Sequence, residues 1–175
     1  MGLDMYLYIE KYESEYEVEE FEEREKLRNK IMERLYPEEM LPLIRSMDAK
    51  RRTTLNRIAR YEVGYWRKAN AIHNWIIQNC ADGTDDCRPI YINISDVEKL
   101  RDTCNEVLRD KSKAPELLPT AEGFFFGGTE YDDWYMEDVR YTSELLTEVL
   151  TFINSMKDDP INTHKSYYVL YEASW

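Results

Sequence analysis

The stretch GYWRKANAIHNW, residues 64–75, packs two tryptophans, an arginine, a lysine, two asparagines and a histidine into twelve positions. It lies within an apolar pattern that runs from about Glu62 to Asn79 and predicts a helix. On such a helix Tyr65, Ala69, Ile72 and Ile76 share one stripe, a conventional core face. Trp66, Asn70, His73 and Ile77 share a second stripe, flanked by Arg67 and Asn74, whereas Lys68 points away from it towards Trp75. Buried polar groups cost free energy unless each finds a partner, so this second face must meet either protein atoms or a ligand. An indole, a guanidinium, amides and an imidazole together suit a stacked base and a held phosphate.

Outward from this helix, LDMYLYI (3–9) alternates Leu3, Met5, Leu7 and Ile9 against Asp4, Tyr6 and Tyr8, the period of a half-buried strand. SYYVLYEASW (166–175) reads the same way, and the two terminal strands are expected to pair. PIYINI (89–94) predicts a short strand. SDVE (95–98) has the form of a capping box opening a helix with Val97, Leu100, Cys104, Val107 and Leu108 as its stripe. KAPELLPTAEGFFFGG (113–128), with two prolines and three glycines, predicts an irregular loop. Thr129 then reads as the N-cap of a last helix running to about Lys157, striped by Tyr135, Val139, Thr142, Leu146, Val149, Ile153 and Met156, with DDP (158–160) as its stop.

Residues 15–35 and 38–61 predict two further charged helices. The first carries Val18, Phe21, Leu27, Ile31 and Leu35 in an acidic context, ESEYEVEEFEE, and the second has Arg45, Lys50, Arg51, Arg52, Arg57 and Arg60 against Asp48. Opposite charge would hold such a pair side by side. The expected architecture is therefore α+β: one domain over 1–175, helices packed on a small, largely antiparallel sheet containing both terminal strands, and a charged helical hairpin inserted at 12–60.

Bulk properties bound the function. At 175 residues and 43% hydrophobic content the chain can bury a core, and no apolar run is long enough to span a membrane. The opening MGLDMYLYIEKY lacks the basic start and apolar stretch of a signal peptide, so a cytoplasmic setting is expected. Three cysteines, Cys80, Cys87 and Cys104, match neither a zinc spacing nor a disulfide framework, so no metal site and no cofactor are expected. A net charge of -12 argues against direct nucleic-acid binding, which needs clustered Lys and Arg, and leaves open attraction to the basic surface of another protein.

A second constellation is GFFFGGTEYDDWY (123–135). Its glycines permit close backbone approach, and a helix start at Gly128–Thr129 offers free N–H groups to an anion. Glu130, Asp132 and Asp133 oppose that, and the spacing is not that of a nucleotide-binding glycine loop. His73 with Asp132 or Asp133, or Glu130 alone, supplies the elements of acid–base chemistry, but no nucleophile context accompanies them, and catalytic residues are not expected.

MGLDMYLY, EVGYWRKANAIHNWI, DGTDDC, LLPTAEGFFFGGTEYDDWY and the terminal SW resemble a family of small proteins of unknown function encoded in bacteriophages, prophages and mobile elements. The likeness covers nearly all of the chain outside about residues 12–60, which vary within that family. Small phage proteins of this kind are often antagonists of host defence, acting on an effector nuclease such as Cas9 or sequestering the nucleotide signals of host immunity. The resemblance therefore implies a non-enzymatic anti-defence protein, acting in the host cytoplasm, that captures a small anionic nucleotide-like ligand. In that reading Trp66 stacks, Arg67 pairs with phosphate, Asn70, His73 and Asn74 fix orientation, and Tyr131 with Gly127 and Gly128 closes the pocket, in some cases between subunits of a homo-oligomer. The alternatives are an anti-CRISPR-type inhibitor that docks an acidic surface on a host nuclease, and a small nucleotide-processing enzyme.

Overall fold

The computed structural model describes residues 2–14, 56–157 and 165–175. The chain divides into two compact units, one of Met1–Glu10, Arg60–Asp158 and Tyr167–Trp175, the other of Lys11–Ala59 and Asp159–Ser166. Of the second unit only short strand ends are described. The helices expected over 15–35 and 38–55, and the DDP stop, lie outside the described residues.

In chain order the elements are β1 (Asp4–Ser14), β2 (Asn56–Arg67), α1 (Asn70–Cys80), β3 (Ile90–Ile92) and α2 (Ile94–Arg109). A 3₁₀ turn at Lys111–Lys113, the single turn α3 (Ala114–Leu117), α4 (Asp133–Lys157) and β4 (Lys165–Ser174) follow. The fold is α+β, with a four-stranded antiparallel sheet of order β2-β1-β4-β3. The two terminal strands pair at its centre. β3 lies antiparallel to β4 with Ile90 opposite Tyr171 and Ile92 opposite Val169.

The alternation in β1 puts Leu3, Met5, Leu7 and Ile9 in the core, joined by Val169, Tyr171 and Ala173 of β4. Against them pack Val97, Leu100, Cys104 and Val107 of α2 and Val139, Leu146, Val149, Leu150 and Ile153 of α4. The predicted stripes of both helices are thus the buried ones, apart from the half-buried Leu108 and Met156. Polar side chains stitch the sheet crosswise, one from each strand. Arg60 of β2 donates to Glu10 of β1 (2.9 Å) and Glu172 of β4 (2.6 Å), and Tyr91 of β3 donates to the other oxygen of Glu10 (2.8 Å). No helix among the described residues is long and apolar enough to cross a membrane.

The largest departure from the sequence reading is at residues 56–67, which are strand and not helix. The end of the expected 38–61 helix and the start of the 62–79 helix together form β2. Val63, Tyr65 and Trp66 are strand formers, and Gly64 weakens a helix interior. Burial alternates with period two from Gly64 to Arg67, so Tyr65 faces outward, 41% exposed, where its hydroxyl donates to Asp4. The chain turns at Lys68 (φ 63°) and Ala69, whose inverse γ-turn carries an Asn70 N–H to Lys68 carbonyl bond of 2.8 Å.

Two helix starts also shift. α2 begins at Ile94, one residue before the expected cap Ser95, and the side chain of Asn93 reaches the Asp96 carboxylate rather than a backbone donor. α4 begins at Asp133 with Asp132 and not Thr129 as its cap, the carboxylate of Asp132 accepting the Tyr135 N–H at 3.0 Å. The loop expected at 113–128 contains α3 before it becomes irregular.

Gly64 marks where β2 crosses α4, since a Cβ there would collide with the Leu145 side chain. Gly64→Ala should destabilise the protein by about 1–3 kcal/mol, as overpacking of a filled core does. Chemical denaturation would measure it, and an unchanged midpoint would contradict this packing.

Candidate functional site

Three of the expected site residues are spent on the fold. Trp66 is buried on β2, and its indole N–H donates to Thr142 Oγ1 of α4 at 2.9 Å. Asn70, buried in the first turn of α1, uses both ends of its amide on the glycine-rich loop. Nδ2 donates to the carbonyls of Phe126 (3.0 Å) and Gly128 (2.8 Å), while Oδ1 accepts from the Ala121 N–H (2.9 Å).

His73, 1% exposed, sits at the centre of an aromatic shell. A carboxylate only accepts, so Nε2 donates to Asp85 Oδ2 at 3.0 Å, and in the singly protonated ring Nδ1 accepts from the Tyr171 hydroxyl at 2.7 Å. Phe126, Trp175 and Tyr171 surround it, with ring centroids 5.2, 5.5 and 6.0 Å away. Burial, and then the nearby Asp85 charge, raise the Tyr171 hydroxyl well above its ordinary pKa, so it remains a donor. His73 is therefore engaged with Asp85, not with Asp132 or Asp133. Removing this ring should be costly: His73→Leu leaves Asp85 and Tyr171 without their partner and should lose about 2–4 kcal/mol of stability in denaturant unfolding.

Arg67, Gly127 and Gly128 line a cavity of about 380 Å³, to whose wall Asn70 also belongs. One wall is the β2–α1 junction from Arg67 to Ile72, the second is the loop at Thr120, Gly127, Gly128, Glu130 and Asp132, and the third is the start of α4 at Trp134, Tyr135, Asp138 and Val139. Tyr131 stands behind the loop, its hydroxyl accepting from the Thr120 N–H and its ring edge-on to Tyr135 at 5.0 Å. Asn74 is half-buried on α1 and does not line the cavity.

The cavity is electrically divided. On one side Arg67 and Lys68 flank the first turn of α1, which has no side-chain cap and no acidic residue. Arg67 is exposed and forms no ion pair among the described residues. The Lys68 stem rests against Gly127, where a Cβ would approach within 3.1 Å and where φ is 91°, so the loop can close here only with glycine. On the other side are Glu130, Asp132 and Asp138. No described group hydrogen-bonds the Asp138 carboxyl, and burial, then the Asp132 and Glu137 charges, push its pKa up to about 6. One helical turn before it, Trp134 is 81% exposed at the cavity rim.

The helical projection of 62–79 excluded Lys68, which the strand-to-helix turn returns to the wall. Trp134 and Asp138 also line the cavity without standing out in the sequence pattern. The available signal for Asp138 was a carboxylate on the flank of the buried stripe, three residues after Tyr135 and four before Thr142.

Two of the three cysteines are suppressed by burial. Cys87 is exposed, but burial pushes the Cys80 thiol up to about 11 and that of Cys104 to about 12. Among the described residues no three metal-ligating side chains converge.

Asp138 also sets a pH dependence. The folded carboxyl titrates near 6 and an unfolded aspartate near 4, so between those values the native chain holds the extra proton. Stability due to this group falls as pH rises through that window, and the full penalty is present at neutral pH. Asp138→Asn should therefore raise stability at pH 7 by about 1 kcal/mol, after discounting for partial solvent screening, and do nothing at pH 4. Thermal unfolding at the two pH values would measure both effects.

No protein-family model, curated protein or solved structure matches the chain.

Proposed function

We propose that this chain is a phage-encoded anti-defence protein that captures a small nucleotide-like anion of host immunity without transforming it. One observation carries the reading: Arg67 and Lys68 flank the uncapped first turn of α1 where it opens into the 380 Å³ cavity. Two cations and a helix N-terminus supply the charge and the N–H donors that a phosphate needs. The volume falls within the range of small-ligand sites. The setting comes from the resemblance of the chain's motifs to those of phage and prophage proteins.

Capture fits the residues better than catalysis does. His73, the strongest acid–base candidate, has both ring nitrogens engaged inside the core. Of the expected ligand residues Arg67, Asn70, Gly127 and Gly128 line the cavity, and Arg67 is the charged one among them.

The test is to expose purified protein to a nucleotide extract, wash it, release what is bound by heating, and identify it by mass spectrometry. An intact phosphorylated nucleotide should return. The Arg67→Ala and Lys68→Ala variants should each bind it roughly ten- to hundredfold more weakly, the loss expected for a charge-assisted hydrogen bond. A processed product would make the protein an enzyme, and unchanged affinity in both variants would remove the cavity from the function.

A further inference from the structure

The acidic half of the cavity has no role in holding a phosphate, and Asp138 has no role in holding the fold. Its carboxyl lies in the wall, half-buried and without a hydrogen-bond partner among the described residues, while its backbone carbonyl accepts from Thr142 Oγ1 at 2.7 Å. Trp134 precedes it by four residues on α4, so the two side chains stand on one helix face a turn apart. Both border the same cavity as Arg67 and Lys68.

A base laid on the Trp134 indole directs its edge along the helix towards Asp138, and its phosphate can extend to the opposite wall. A carboxylate has two acceptor oxygens and no donor. It is matched by a ring edge that presents two adjacent N–H donors, and mismatched by an edge that presents a ring-nitrogen acceptor. Guanine offers the first at N1 and the exocyclic amine, whereas adenine has an acceptor at the same ring position.

We propose that Asp138 is a specificity-determining residue that selects a guanine nucleotide, with Trp134 as the stacking platform. This rests on the capture reading above and adds the class of base.

Isothermal titration with GMP, IMP and AMP tests it on the full chain. GMP should bind about tenfold or more tightly than AMP, as a bidentate pair discriminates. IMP, with the N1–H but not the amine, should fall between them. Asp138→Asn should remove the preference, by weakening GMP and relieving the mismatch with AMP, and Trp134→Ala should weaken all three nucleotides.

Lowering the pH from 7.5 to 5.0 should weaken GMP binding more in the wild type than in Asp138→Asn, because the nucleotide phosphate also takes up a proton at about pH 6 and does so equally in both. The variant serves as the control for the other charged groups around this carboxyl, namely Glu137 on its own helix, Asp132 and Glu130 on the loop, and Arg67 and Lys68 across the cavity. Circular dichroism establishes that each variant is folded.

Equal affinity for GMP and AMP, or a preference that survives Asp138→Asn, overturns this inference and leaves the capture reading standing. Failure of all three nucleotides to bind overturns both.

Discussion

The buried imidazole of His73 is the joint on which this fold depends. A polar ring at 1% exposure is tolerated only if both nitrogens are satisfied, and here each bond fastens a different segment. Nε2 holds the 81–89 loop through Asp85, and Nδ1 holds β4 through Tyr171. Two edge-to-face aromatic contacts complete its surroundings: Phe126 from the glycine-rich loop and Trp175 at the last position of the chain. Thus four scattered stretches, NAIHNW, DGTDDC, GFFFGG and the closing SW, meet at one side chain. Residues that look like separate motifs along the sequence are a single packed cluster in space.

Asn70 extends this arrangement one turn back along α1. It lies three residues from His73, and its amide makes three bonds to the loop whose Phe126 ring rests on His73. The polar face of α1 is therefore a clamp on residues 121–128, which form part of the cavity's wall. What makes the cavity persist is the polarity that would otherwise suggest ligand contacts. Once Asn70 and His73 are committed to the protein, the groups left to face a ligand are those at the bend before the helix, Arg67 and Lys68, and those at the start of α4.

This explains what was legible in the sequence. LDMYLYI and SYYVLYEASW alternate cleanly because each has one face in the core, and the stripes of α2 and α4 run for several turns, so their period is unambiguous. Residues 62–79 hold two elements with different periods joined by two residues, and Tyr65, Ala69, Ile72 and Ile76 satisfy a helical spacing across the junction by coincidence. The deciding evidence was local: a glycine among β-formers, and a lysine that has to adopt φ 63°. Misplacing that boundary had a direct cost at the site, because it rotated Lys68 away from the face to which the turn delivers it. The sequence pattern marks His73 and Asn70 as buried polar groups, and both are buried. Whether such a group is satisfied by protein or by ligand depends on chain segments 12 to 98 residues away, which no local pattern encodes.

Asp138 is the exception to the economy of this core. Every other deeply placed polar side chain around the cavity has a partner: Trp66 has Thr142, Asn70 has the loop, and Tyr135 has the Leu118 carbonyl at 2.8 Å. A lone carboxyl, held partly out of water beside two other acids, weakens the folded state at neutral pH. Selection for stability alone would favour an amide at this position, which has the same shape and no charge. Perturbed groups of this kind concentrate where a protein meets a ligand, because a partner arriving from solution relieves the strain that the fold does not. The cations Arg67 and Lys68 stand in the same lining but form no ion pair with this carboxyl among the described residues. The two halves of the cavity are thus each left with charge unspent, and a ligand with an anionic end and a donor-bearing end would satisfy both.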